Sequence, residues 1–243
     1  MTLLVLAAVG GFAAGVITTV AGIGGGISLV ALLSLVAEPR AVVGLTAPVL
    51  MIGNGTRYLM FRGELDRPAA GWLLAGAVPA AIAGALLLPR LPGRAIQVGM
   101  GLLLLTFVAV QLLRQRRDEP ARSEAIAAPA GLPVGVALGG LSATVGGAGP
   151  VNAPYLHARG LRKGAFAATN AATNGTVHAL KTLVFVLNGI LTVGNLGAAA
   201  AAAATVTLGN RVGQVLLGRI SEEAFVRLLL VAVTIAAVRL LLG

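Results

Sequence analysis

Four glycines fall within five positions at Gly22, Gly24, Gly25 and Gly26, and a looser cluster follows at Gly146, Gly147 and Gly149 before Pro150. Backbone of this kind can do chemistry without side chains. Clustered glycines unwind a helix. A helix restarting beyond them turns its first N–H groups, and about half a positive charge, toward the gap. That is a receptor for an anion, with no cationic side chain required. Pro150 suits the first turn of such a restarting helix. Pure close packing is the competing reading of glycine in an apolar chain.

The polar groups inside apolar stretches are few. Asn54, Thr56 and Asn174, with Asn170 and Thr173, offer uncharged hydrogen-bond donors. Each could instead bond the backbone of its own helix. Arg57 lies one turn after Asn54 and could pair with an anion entering from the cytoplasm, or extend to the interface as arginines near helix ends do. At a helix centre it would cost roughly 2.5–3.5 kcal/mol on insertion scales. His178, four residues after Asn174 and on the same helix face, could donate to a solute, shuttle protons or simply pack. Lys181, near the outer end of its helix, is a similar but weaker case, open to anion pairing or to snorkelling. No Asp or Glu falls clearly inside an apolar segment, which disfavours a carboxylate proton relay and an acid-lined cation site. There is no P-loop, Gly-x-Ser-x-Gly elbow or histidine pair spaced for a metal, so no enzyme activity, metal or cofactor is expected.

These groups need elements long enough to carry them through lipid. Of 243 residues 57% are hydrophobic and 11% charged, against about 25% charged in soluble domains. A water-soluble globule is excluded. The absence of cysteine rules out disulfide scaffolds and thiol chemistry. Crossing a hydrocarbon core takes about 20 apolar residues. Suitable segments run over residues 3–21, 41–60, 68–88, 95–113, 125–145, 164–186, 190–208 and 224–242. Shorter apolar arms at 27–37 and 151–157 each form a hairpin with the helix before them. The fold class expected is an all-α polytopic membrane protein of two inverted-topology repeats, each a glycine-broken hairpin plus three helices. Residues 1–113 form the first repeat, 114–125 a charged cytoplasmic linker and 126–243 the second repeat.

A hairpin contributes an even number of crossings, so each half crosses an odd number of times and the second half is inverted relative to the first. Charge fixes the sides. Arg62, Arg67, Arg114, Arg116, Arg117, Arg122, Arg159, Arg162, Lys163, Arg211 and Arg219 share one side, leaving Arg40, Arg90 and Arg94 on the other. The rich side is cytoplasmic, which places both termini in the periplasm. The net charge of +10 therefore reflects topology rather than nucleic acid. The stretch after Met1 reads as a retained helix rather than a cleaved signal. The halves also share spacing. Gly15, Thr19, Gly22 and Gly24 recur 125 residues later as Gly140, Thr144, Gly147 and Gly149, Thr46 recurs 123 later as Thr169, and Asn54-Gly-Thr56 recurs 120 later as Asn174-Gly-Thr176.

The segment Gly15-Val-Ile-Thr-Thr-Val-Ala-Gly22-Ile-Gly-Gly-Gly26, its degenerate copy Gly140-Leu-Ser-Ala-Thr-Val-Gly-Gly-Ala-Gly149-Pro150, the length and the charged central loop resemble the TauE/SafE family of sulfite and organosulfonate exporters. The resemblance covers nearly the whole chain. It implies a multi-pass permease of the bacterial cytoplasmic membrane that exports sulfite or a related small sulfur oxyanion. Its second copy departs from the glycine-rich form at Ala148 and Pro150. Taken with the residues, it gives an expected site of Gly22, Gly24, Gly25, Gly26, Asn54, Thr56, Arg57, Gly147, Gly149, Asn174 and His178 around a small anion such as sulfite. Partners are that anion and the bilayer; self-association is left open and nucleic acid is not expected. Rival readings are a proton- or sodium-coupled uptake permease and a non-transporting membrane scaffold.

Overall fold

The computed structural model describes residues 2–20, 24–115, 126–147, 149–216 and 222–243, in which there are ten α-helices and no strand. In order these are α1 (Thr2–Val20), α2 (Gly25–Leu33), α3 (Pro39–Phe61), α4 (Arg67–Leu87), α5 (Gly93–Gln115), α6 (Gly131–Val145), α7 (Gly149–Ala158), α8 (Lys163–Leu187), α9 (Val193–Leu216) and α10 (Glu222–Leu242). α1, α4, α5 and α6, the last with its preceding turn, are long and apolar enough to cross a membrane by length and composition. α3, α8, α9 and α10 are comparably long, at 21–25 residues, but carry the polar groups. Residues 116–125, the greater part of the expected linker, lie outside the described residues.

The outer surface is apolar. Leu59, Leu102, Leu183, Val231 and Ile235 are all more than half exposed. In water such a girdle would drive aggregation; against acyl chains it is the matched surface, and the chain is a multi-pass membrane protein.

The two expected hairpins form. α2 runs back along α1, Gly25 lying against Ala14 and Thr18, and Leu29 and Leu32 against Gly10. α7 likewise returns to the start of α6. Its Tyr155 hydroxyl donates to the Ala128 carbonyl (2.8 Å), and the Ile126 N–H donates to Ala158 O (3.2 Å). At nine and ten residues α2 and α7 rise only about 14–15 Å, half a hydrocarbon core, so neither crosses.

Helix pairing across the halves is reciprocal: α1 packs along α9 as α6 packs along α4, α3 touches α9 as α8 touches α4, and α3 crosses α8 while α5 lies on α10. Glycine allows the closest of these approaches. A Cβ on Gly11 or Gly15 would meet the backbone of Ala202 or Val206 in α9, and one on Gly209 the backbone of Phe12. In the other pair, Gly135 and Gly139 lie on the backbone of Leu73 and Ala77, and Gly76 on that of Leu132. The matching roles of Gly11 and Gly15 with Gly135 and Gly139 are 124 residues apart, one fewer than the sequence comparison gives. Gly140, aligned with Gly15 at 125, has no neighbour within 4 Å of an added Cβ.

The loops sort to two ends. Arg159 joins Asp66 (Nη2 to Oδ2, 3.1 Å) and the Ile126 carbonyl (Nη1, 2.9 Å), gathering the α3–α4 turn, the α7–α8 turn and the start of the second half. At the far end of α3, Arg40 reaches the Leu91 carbonyl, and Arg94 donates to the carbonyls of Leu240 (3.2 Å) and Leu241 (2.6 Å).

Candidate functional site

The helix breaks meet. Gly24 closes the start of α2 in the left-handed region (φ 100°), and Gly146 ends α6 at φ 103°. Both conformations suit glycine, having no Cβ to clash. Gly147 then presses on Gly26, so that a Cβ at Gly147 would lie 3.0 Å from the Gly26 carbonyl carbon. Beside this contact is a cavity of about 50 Å³. One water needs roughly 10–15 Å³ on the same measure, so the space takes a solute of about four non-hydrogen atoms.

The cavity wall collects Gly24, Gly25, Gly26, Asn54, Gly147, Asn174 and His178 from the expected set. Thr18, Ile27, Leu50, Gly53, Asn170, Val206 and Asn210 join them among the described residues. α2 restarts here: the Ser28 N–H is bonded to Gly24 O (2.8 Å), and by helix geometry the N–H groups of Gly25, Gly26 and Ile27 point back toward the break. Gly24 has no side chain with which to cap them.

The remaining expected residues differ in placement. Gly22 lies outside the described residues. Gly149 is the first residue of α7. Thr56 stands behind the cavity wall, donating to Gly53 O (2.9 Å) and accepting from Asn210 Nδ2 (3.0 Å). Arg57 is outside the wall and buried, at 6% exposure, rather than extended into an exposed position as a snorkelling side chain would be.

Polar detail refines the expected roles. Asn54 Nδ2 donates to Leu50 O (2.8 Å) in its own helix. Asn174 Nδ2 donates to both Asn170 O and Asn170 Oδ1 (2.9 Å each), which uses both of its hydrogens. Asn174 Oδ1 is left as an acceptor, buried with no hydrogen-bond partner among the described residues, as is His178 Nδ1. Buried polar atoms are nearly always paired, and both of these residues belong to the cavity wall.

The sequence reading misses one polar residue beside the cavity and misplaces another. Asn210 is buried and joins three helices beside the cavity: it donates to Gly53 O (3.2 Å) and Thr56 Oγ1, and accepts from Thr19 Oγ1 (3.3 Å). The apolar segment expected at 190–208 stops short of it, whereas α9 continues to Leu216. Lys181 is the larger correction. Expected to pair with an anion or to snorkel, it is fully buried, and its ammonium donates to Ser142 O (2.8 Å), Ser142 Oγ (3.2 Å) and Gly146 O (2.8 Å) at the end of α6. Hydropathy along one helix cannot reveal such acceptors, which exist only because α6 is broken and packed beside α8.

A helical membrane chain whose glycine breaks meet at a small cavity matches one known family. The family model described as sulfite exporter TauE/SafE matches residues 7–240. No curated protein and no solved structure matches the chain. With the family match spanning nearly its whole length, the chain belongs to the TauE/SafE family of sulfite-exporter-type membrane transporters.

Proposed function

We propose that this protein exports a small sulfur oxyanion, sulfite in the first instance, across the bacterial cytoplasmic membrane by alternating access. The observation that carries the reading is the junction of the two breaks at a cavity sized for about four non-hydrogen atoms, in helices that contain no carboxylate before Glu222. Sulfite fits that space; longer organosulfonates exceed it. First-turn amides of α2 face the oxygens, and His178 and Asn174 on the cavity wall add polar groups beside them. The Arg-rich end is cytoplasmic and both termini are periplasmic. The membrane potential, negative inside, then drives anion exit by about 2.3 kcal/mol per charge per 100 mV, without a coupling ion.

The reciprocal helix pairing supports two inverted repeats. It also changes which bodies rock. α1 is locked to α9 and α6 to α4 by backbone contact at glycine, so rigid rotation of one sequence half against the other would tear both seams. The moving bodies are instead α1, α2, α3 and α9 against α6, α7, α8 and α4, sliding at the α3–α8 crossing where Asn54 meets Gly175 (3.4 Å to an added Cβ).

The test is flux in proteoliposomes loaded with sulfite, with proton and sodium gradients clamped. Outward flux that follows the imposed potential, and is competed by sulfite more strongly than by sulfate, thiosulfate, sulfoacetate or lactate, supports the reading. Net uptake that requires a proton or sodium gradient supports the uptake permease instead. Failure of every anion to bind or move leaves a scaffold whose glycines only pack helices.

A further inference from the structure

The site as described has amides and neutral acceptors but no full positive charge, since Arg57 lies outside the cavity wall. We infer that Lys181 supplies it: a fixed ammonium behind the second break that is the counter-charge of the bound anion and selects for negative charge. This deepens the functional reading above and rests on it.

The hydrogen-bond pattern accommodates a charged group. Lys181 Nζ faces three oxygens, at 2.8, 3.2 and 2.8 Å. Ser142 Oγ directs its own hydrogen to Gly146 O (3.3 Å), so the hydroxyl acts as an acceptor toward the lysine. An ammonium has three hydrogens and no lone pair, and here it meets three acceptors and no donor. A buried ion in lipid needs an opposite charge. None is built in, because no Asp or Glu occurs before Glu38, between Glu38 and Glu64, or between Glu124 and Glu222. α6 also ends here, and the carbonyls at a helix C-terminus carry partial negative charge that repels an anion. Lys181 covers two of them, reversing the local sign.

Peptide geometry links this charge to the cavity. The bond between Gly146 and Gly147 is trans and planar. With Gly146 O held by the lysine, the Gly147 N–H on the opposite edge of that plane points away from it, and Gly147 is part of the cavity wall. The charge thus lies one polarised peptide from the solute, about 8 Å away by summed bond and hydrogen-bond lengths. Across that gap at an effective dielectric near 20, a unit charge changes anion affinity about thirty-fold. Lys181 is accordingly a positioning residue, acting through Gly147 rather than touching the anion.

The experiment separates charge from clamping. Lys181→Gln retains amide donors for the α6 carbonyls and removes the charge; Lys181→Arg retains the charge. With sulfite titrated into purified protein, Lys181→Gln should weaken binding about thirty-fold, while Lys181→Arg stays within about three-fold of the parent. Equal affinity for Lys181→Gln and the parent overturns the inference, as does equal loss in both variants, which is the signature of a clamp. A measurement on the unmutated protein guards against misfolding. The chain has two lysines, Lys163 and Lys181, so ¹⁵N-lysine labelling gives two Nζ resonances, assigned by Lys163→Arg. Saturation with sulfite should shift the Lys181 resonance as an ammonium signal. A signal that ignores bound sulfite refutes the charge assignment and leaves the export reading standing. If sulfite fails to bind the unmutated protein at all, the export reading fails and the assignment with it.

Discussion

Substitution of Gly26 by alanine separates a binding role for the break from a packing one. Three adjacent glycines respond differently to an added methyl. At Gly24 the obstacle is φ 100°, which costs an L-residue roughly 1–2 kcal/mol. At Gly25 the methyl would enter the Thr18 hydroxyl and the Ala14 carbonyl of α1, which forces the hairpin open. Gly26 has an ordinary helical backbone. Its methyl would meet the flexible end of Leu50 (Cδ1 at 3.1 Å) and approach Gly147 Cα (3.9 Å), both on the cavity wall. The stability terms nearly cancel. Alanine gains about 0.5–1 kcal/mol over glycine in a helix, while mild overpacking takes back about 1 kcal/mol. The binding terms do not cancel, because the methyl occupies space that the anion needs and displaces it from at least one amide. Loss of one hydrogen bond to a charged partner is worth about 1.5–3 kcal/mol, or roughly ten- to hundred-fold in Kd. Gly26→Ala should therefore melt within a few degrees of the parent in detergent yet lose sulfite affinity and efflux, whereas Gly25→Ala should lose stability first. Parent-like affinity in Gly26→Ala would refute the amide cradle. So would flux losses that track melting temperature across all three variants.

Four further outcomes follow from the same geometry. Gly139→Ala drives a methyl into the backbone of Ala77 and should destabilise by about 1–3 kcal/mol in denaturation assays, while its neighbour Gly140→Ala, with open space, should be neutral. Asp66→Asn should weaken the partly exposed pair with Arg159 by no more than about 1 kcal/mol. Asp66→Ala should cost about 1 kcal/mol more in thermal melts, because it also removes the cap that the Ala69 N–H donates to (2.9 Å). The chain lacks cysteine, so single cysteines at the uncrowded Gly63 and Gly93 report the sides: an impermeant thiol reagent should label Gly93→Cys in intact cells and Gly63→Cys only after lysis.

The helices were legible because lipid imposes length. Every long apolar segment expected from the sequence corresponds to a helix, and the glycine clusters mark both hairpin turns, since few other sequences place four glycines in five residues. What periodic composition could not give was the partner of each helix. Gly15 and Gly140 match as letters, but only one of them accepts a neighbouring backbone. The seam partners Ala202 and Ala77 are ordinary alanines whose role depends on a helix far away in the chain. The two glycine seams consequently lie 124 residues apart, while the sequence comparison gave 125 for the glycines and 120 for Asn-Gly-Thr.

At the site, the legible residues are those whose peculiarity is local. Gly24, Asn54 and His178 stand out against their own segments and reach one cavity. Asn210 was hidden by a helix boundary drawn at the last apolar residue, and Lys181 by the assumption that a lysine near a helix end seeks water. Both errors arise from treating each span as isolated in lipid. Once α6 breaks beside α8, its carbonyls become the most polar surroundings within reach of Lys181, and three hydrogen bonds replace the hydration it would otherwise have to reach for. The two breaks are therefore not equivalent. The first contributes restarting amides with no side-chain cap, and the second contributes a helix end whose sign has been reversed by a lysine from another element. An anion seated between them meets positive potential from both sides, although only one of the breaks carries a formal charge.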